Sequence, residues 1–365
     1  MKIIFSCLLA TVAILIVKAQ NDIDLNALPP VADLMVQVSN PAADTIILCS
    51  NGGPNSDLET TYFSFYHGIS TFSTVYVRQY QQYNTSIMDS SEITLNEAII
   101  YDDTTVAILR KVVNHFNGLG KIVVVTGHSF GAFVIAEYLD DYSNADLHKV
   151  IPMAGRLNMN DTIWNAFSTG HLGGFQADGV TPFIENALSP SSMWAGMKLM
   201  AGFGYNKHID SLVGLDLMNL MYLYGTNDEA VGSLVNEEVS FLTDANATVV
   251  SVPSGGHGSM FTAMYMNQAL NFIRSPQGNV GILENGGELT SVKMYPTVTD
   301  DYININTTEQ GFLQIFSLIG QSVKYQNNFQ PGSHQIDLSE FGSGMYFVSY
   351  FTDTHEKYSQ KIIVR

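Results

Sequence analysis

The feature that most constrains this chain is the pentapeptide Gly127-His128-Ser129-Phe130-Gly131. It is set between an apolar run at 122–126 and a helical pattern at 131–139. A continuous β-branched run reads as a strand covered on both faces. A chain passing directly from such a strand into a helix must turn sharply, and glycines two residues either side of Ser129 permit the crowded backbone of that turn. The serine hydroxyl is then presented at the C-terminal end of the strand. A turn of this kind needs a parallel sheet around it.

The surrounding sequence supplies one. Residues 44–275 alternate short β-branched runs with amphipathic stretches, the pattern of βαβ units. Thr45-Ile-Ile-Leu-Cys49 reads as a buried strand ending in the turn Asn51-Gly52-Gly53-Pro54. The spacing of Ile99, Val106, Leu109, Val112, Val113 and Phe116 predicts a helix over 95–116, stopped by Asn117-Gly118. Further strands are expected at 150–154, 220–224 and 248–252, with helices after the last two. Over 156–215 the alternation fails. That stretch is rich in Gly, Asn, Phe and Met and holds both tryptophans, Trp164 and Trp194, so it reads as an insertion of short helices capping the sheet. Beyond Gly278 come the loop Glu284-Asn-Gly-Gly-Glu288 and short alternating strands at 302–306, 312–316, 345–351 and 361–364, the pattern of a small antiparallel sandwich. The expected organisation is a leader at 1–19, an α/β domain at 20–277 with its cap at 156–215, a linker at 278–290 and a β-domain at 291–365.

The leader expectation rests on Lys2, the apolar run at 8–17 and the small or apolar residues before Gln20, the pattern of a cleaved secretory signal. No other stretch reads as a bilayer span. Cleavage would leave Cys49 as the only cysteine, which excludes an internal disulfide and a cysteine-ligated metal. A formal net charge of -18 repels phosphate backbones, so a nucleic-acid partner is not expected.

A serine hydroxyl is a weak nucleophile without a base and a carboxylate to orient that base. On a sheet with this strand-serine-helix turn, the acid and then the histidine follow in chain order. Asp228 sits in the turn after one strand, with Glu229, Asp216 and Asp244 as competitors for the acid role. His257, flanked by glycines in Ser254-Gly-Gly-His257-Gly, follows the next strand. His128 is expected to pack beside the turn. An oxyanion would need two N–H donors. Phe130, directly after the serine, should supply one and Gly53 the other.

Together these motifs resemble the α/β-hydrolase superfamily over roughly residues 44–272. The turn Asn51-Gly-Gly-Pro54 looks like the His-Gly-Gly-Pro oxyanion loop of esterases and proline-releasing aminopeptidases, with Asn51 in place of the histidine. The C-terminal segment resembles the type IX secretion sorting domain of Bacteroidota. The matching pieces are Met294-Tyr-Pro296, Asp301-Tyr-Ile-Asn-Ile305, Leu318-Ile-Gly320, Gly344-Met-Tyr-Phe-Val348 and Lys361-Ile-Ile-Val-Arg365; Thr297-Val298 stands where the family usually has Asn-Pro. That resemblance implies the secretion machinery as a partner and a location outside the cell or on its surface.

The combined expectation is a secreted serine hydrolase cleaving carboxylic esters through Ser129, His257 and Asp228, with no metal or organic cofactor in the reaction. Trp164, Phe167, Phe175, Phe183, Trp194, Met197, Met200 and Phe203 could line a pocket for a small-molecule acyl substrate, or form the cap's own core. A serine aminopeptidase is the alternative, with Asp161, Asp178, Glu185 and Asp210 available to hold an ammonium. A non-catalytic surface protein on a hydrolase scaffold is the third reading.

Overall fold

The computed structural model describes residues 23–275, 292–295, 298–299, 301–317, 322–352 and 357–365. The expected leader and linker, Pro296 and the Leu318-Ile-Gly320 piece lie outside the described residues. The chain divides into two compact units, Met1–Val280 and Gly281–Arg365.

In chain order the first unit runs α1 (Val31–Leu34), β1 (Met35–Gln37), β2 (Thr45–Ser50), β3 (Phe72–Val77), α2 (Tyr80–Tyr83), α3 (Leu95–Gly118), β4 (Ile122–His128), α4 (Phe130–Tyr142) and β5 (Lys149–Met153). It continues α5 (Asp161–Thr169), β6 (His171–Phe175), β7 (Pro182–Leu188), α6 (Ser191–Phe203), α7 (His208–Ser211), β8 (Met221–Gly225), α8 (Asn236–Asp244), β9 (Thr248–Val252) and α9 (Ala263–Arg274). Seven strands form one sheet in the order β1-β3-β2-β4-β5-β8-β9. Every pairing is parallel except that of the short edge strand β1 with β3.

The strand residues alternate between two cores. Ile46, Leu48, Val123, Val125 and Val150 face a cluster that also takes Val106, Leu109, Val113, Phe133 and Leu199. Ile47, Cys49, Val124 and Ile151 face a second cluster with Met266, Leu270 and Ile273. Helices therefore cover both faces, which explains why β4 reads as an unbroken apolar run rather than an alternating one. Thr94 starts α3 with a capping box: its hydroxyl accepts from the Glu97 N–H at 3.2 Å and its own N–H donates to Glu97 Oε2 at 2.8 Å.

The segment between β5 and β8 contains α5, α6 and α7, as short helices were expected, and also an antiparallel hairpin of β6 with β7. Nothing in the sequence pattern announced that hairpin, because β7 is exposed along most of its length and lacks the alternation that marks a half-buried strand.

The second unit is built from β10 (Val292–Tyr295), β11 (Val298–Thr299), β12 (Tyr302–Thr307), β13 (Gly311–Ser317), β14 (Ser322–Phe329), β15 (Gly332–Asp337), β16 (Gly344–Thr352) and β17 (Lys357–Val364). They form a three-stranded sheet, β10-β12-β15, and a five-stranded sheet, β11-β17-β16-β13-β14. Apart from the two-residue β11, which runs parallel to β17, the pairings are antiparallel. Ile303, Ile305 and Ile336 of the smaller sheet share one core with Leu313, Ile315, Val348 and Tyr350 of the larger.

Candidate active site

Ser129 occupies the junction of β4 and α4 with φ 55° and ψ -118°, a conformation that non-glycine residues rarely adopt. Close packing holds it there. A Cβ on Gly131 would stand 2.1 Å from the carbonyl oxygen of Ser50, and one on Gly127 would stand 2.4 Å from that of Gly131. Both glycines of the pentapeptide are therefore demanded by approaching backbone. The Ser129 N–H donates to the Met153 carbonyl at 2.9 Å, which fixes the turn to the end of β5.

Asp228 follows β8 and is buried, at 1 % side-chain exposure. Its Oδ1 accepts the N–H groups of Ala230 at 2.9 Å and Val231 at 3.1 Å. His257 follows β9, with its Nδ1 2.8 Å from Asp228 Oδ2 and 3.0 Å from Oδ1. A carboxylate only accepts, so Nδ1 carries a proton, and in the neutral imidazole Nε2 then holds the lone pair. Glu229, the neighbouring competitor, is a different case: its carbonyl accepts the Phe175 N–H at 2.9 Å in the wall of the β6-β7 hairpin.

His128 is buried and bridges two parts of the site. Its Nε2 lies 2.7 Å from the carbonyl oxygen of His257, and its Nδ1 lies 2.6 Å from Tyr62 Oη. The carbonyl can only accept, so Nε2 donates and Nδ1 accepts from the tyrosine hydroxyl. Burial, and then the nearby His257, lower the His128 pKa to about 4. Burial, with the charge of Glu59 adding, raises that of Tyr62 to about 12. Tyr62 and His128 are thus neutral and singly oriented near neutral pH. The His128 and His257 rings are 4.7 Å apart, and Phe261 packs on His128 at 4.9 Å. Tyr62 carried no motif. Only its position after the Asn51-Gly52-Gly53-Pro54 turn could have drawn notice.

That turn lies against the elbow. A Cβ on Gly52 would meet Tyr62 Oη at 2.6 Å and His128 Nδ1 at 3.3 Å, and the site of a Gly131 Cβ is 2.8 Å from the Asn51 carbonyl. Asn51 donates its side-chain amide to the Glu59 carbonyl at 2.8 Å and accepts from Gln79 on its own carbonyl at 2.7 Å. Phe130 is the first residue of α4, so its N–H has no partner inside the helix. Among the described residues no hydrogen bond joins Ser129 Oγ to His257.

The aromatic and methionine set divides. Phe167, Phe175 and Met200 line a small apolar hollow with Phe133, Met159, Ile163 and Val231. Trp164 and Trp194 do not line it. Their indole N–H groups donate to the carbonyls of Ala201 at 3.0 Å and Ile93 at 3.1 Å. Phe203 is buried edge-on against Phe130, while Phe183 is exposed on β7. A buried pair that no motif announced anchors the same region: Arg156 Nε meets Glu238 Oε2 at 2.7 Å, and Glu238 also accepts the N–H groups of Leu157, Asn158 and Val235 at 2.9, 3.0 and 3.0 Å.

Residues 293–365 match the secretion system C-terminal sorting domain. No curated protein matches the chain in sequence. Among solved structures, one chain described with the metagenome-derived lipolytic enzymes LipS and LipT gives 12 % identity and a TM-score of 0.44, over 66 % of this chain and 97 % of that one. A soluble variant of monoglyceride lipase from Saccharomyces cerevisiae, bound to a substrate analogue, gives 10 % and 0.43, over 65 % and 88 %. MenH from S. aureus gives 10 % and 0.44, over 66 % and 98 %. The mostly parallel seven-stranded sheet covered by helices on both faces, with a serine elbow between β4 and α4, is that of the α/β-hydrolase fold. The chain is thus an α/β-hydrolase fold followed by a C-terminal sorting domain, which marks it for type IX secretion to the cell surface or the extracellular space.

Proposed function

We propose that the first unit is a serine hydrolase that cleaves carboxylic esters through Ser129, His257 and Asp228. The observation that carries this reading is the 2.8 Å contact of His257 Nδ1 with a buried Asp228, beside a serine held at positive φ. His257 Nε2 takes the proton of Ser129 Oγ as the oxygen attacks the ester carbonyl carbon. The oxyanion accepts from the N–H groups of Phe130 and Gly53. Collapse expels the alcohol, protonated by His257, and leaves an acyl-serine. Water, deprotonated by the same histidine, then attacks the acyl carbon and frees Ser129 and the acid. Asp228 keeps Nδ1 protonated and stabilises the imidazolium that forms in each half. No step calls for a metal or organic cofactor.

The apolar side chains Phe133, Phe167, Phe175 and Met200 bound a hollow of about 10 Å³, room for one water, which would have to widen to admit an acyl group as the moiety recognised. Phe133 lies one turn along α4 from Ser129, and Val231 is held by Asp228. Trp164 backs this wall: it and Met159 both pack where a Gly204 Cβ would stand. Trp194 packs against Gly170 at the end of α5. Both tryptophans then shape acyl selectivity from behind the lining. The test is hydrolysis of acyl esters of graded length beside N-terminal aminoacyl amides, by wild type and by His257→Ala. Each buried methylene adds up to about 0.8 kcal/mol, nearly fourfold in kcat/KM, until the pocket is full. Ester turnover that rises and then levels with chain length, and that His257→Ala abolishes, is the expected result. Turnover confined to aminoacyl amides would transfer the assignment to a peptidase.

A further inference from the structure

Away from the proposed catalytic groups, α4 carries Glu137 and Asp140 one turn apart, and both meet the first residue of α7, His208. Side-chain exposures are 2 %, 6 % and 1 %. One ligand-type atom from each lies within 4.8 Å of the others. His208 Nε2 is 3.5 Å from Glu137 Oε2 and Nδ1 is 3.5 Å from Asp140 Oδ2, and neither ring nitrogen has a hydrogen-bond partner. An unpartnered, fully buried imidazole directed at two carboxylates is costly as it stands.

Two readings of this cluster differ in geometry. An imidazolium paired with two carboxylates would draw each contact in to about 2.7–2.9 Å. Two ligands that share a tetrahedral ion, each about 2.0–2.1 Å from it, stand roughly 3.3–3.4 Å apart. Both contacts are beyond hydrogen-bond range. Because Nε2 faces Glu137 and Nδ1 faces Asp140, one ion accounts for the spacing of one contact only, with the third ligand atom within 4.8 Å of that pair. The side-chain amide of Asn206 donates to both Glu137 oxygens, at 2.9 and 2.8 Å, and so fixes that carboxylate as an outer partner fixes a ligand.

The geometry points to a structural site for a divalent transition ion of the zinc class, ligated by Glu137, Asp140 and one ring nitrogen of His208. One imidazole with two carboxylates suits zinc better than the harder calcium or magnesium. The other ring N–H is then free to donate to a carboxylate oxygen, a common arrangement around zinc-bound histidine. The ion would tie α7, at the end of the segment between β5 and β8, to the helix that begins after Ser129. It takes no part in the proposed ester hydrolysis, so the two proposals stand or fall separately.

The full chain, stripped with chelator and dialysed, is titrated with zinc chloride by calorimetry and followed by thermal unfolding. One equivalent should bind per chain, and zinc at about a hundred times its dissociation constant should raise Tm by roughly 5–10 °C. Asp140→Asn, a near-isosteric change at the least buried ligand, should weaken binding at least tenfold, and His208→Ala should remove it. Both should leave ester turnover at low temperature close to wild type. If His208→Ala does not fold, Asp140→Asn alone decides. Absence of stoichiometric binding, a Tm indifferent to zinc, or zinc binding equally tight in Asp140→Asn would overturn the site.

Discussion

Asp228 is held by two backbone N–H groups and by His257, so its orientation does not depend on its charge. Asp228→Asn should therefore fold while presenting His257 with an amide that favours the wrong tautomer. The expected loss in kcat is about 10⁴-fold, read with a short ester. An Asn variant at wild-type turnover would move the acid role elsewhere. His128 makes a different prediction, about stability. Its folded pKa is about 4 against 6.5 for the free side chain. Below pH 6.5 the unfolded chain takes up a proton that the folded chain refuses until about pH 4. The contribution of His128 is thus fully present above pH 6.5 and is lost as pH falls towards 4, roughly 3 kcal/mol in all. Urea unfolding at neutral pH and near pH 4 should show this loss in wild type, and His128→Leu should show a smaller pH dependence. An unchanged pH dependence in that variant would assign the acid lability to other groups.

At the scale of elements, the parallel strands and the helices that lie on them were legible because their periodicities are unmixed. The unbroken run of β4 and the spaced apolar residues of α3 each admit one reading. The strands β1, β3, β10, β11, β14 and β15 and the β6-β7 hairpin were not expected. Of these, β7, β14 and β15 mix polar and apolar positions too freely, whereas β3, Phe72-Ser-Thr-Val-Tyr-Val77, is a β-forming run that was legible all the same. Nor could it reveal the Arg156–Glu238 pair, since 81 residues separate Glu238 from the Leu157 N–H it accepts. That carboxylate collects three backbone N–H groups and a guanidinium where the chain leaves β5. Glu238→Ala strands a buried arginine and should cost about 3–5 kcal/mol in chemical denaturation. A loss below 1 kcal/mol would mean that the segment is held mainly by its apolar contacts. The site was legible in part for the same reason as the fold: Ser129, Asp228 and His257 each follow a strand that could be recognised. Tyr62 and Gln79 follow no such landmark, and the partner of His128 could not be read.

For the whole molecule, the expected division of labour is between a hydrolase unit and a sorting unit. The first contact unit ends at Val280, after Ser129, Asp228 and His257, and the sorting match begins at residue 293. A chain ending at Ser275 should retain the ester turnover of the full chain while losing export. Normal amounts of that shortened chain outside the cell would contradict the role given to the sorting domain. Whether Ser129 is an activated nucleophile is read by labelling the full chain with a fluorophosphonate and mapping the adduct by peptide mass. One adduct per chain is expected, on Ser129, lost in Ser129→Ala and strongly slowed in His257→Ala. A wild-type chain that stays unlabelled, or an adduct on any other serine, would contradict that role for Ser129.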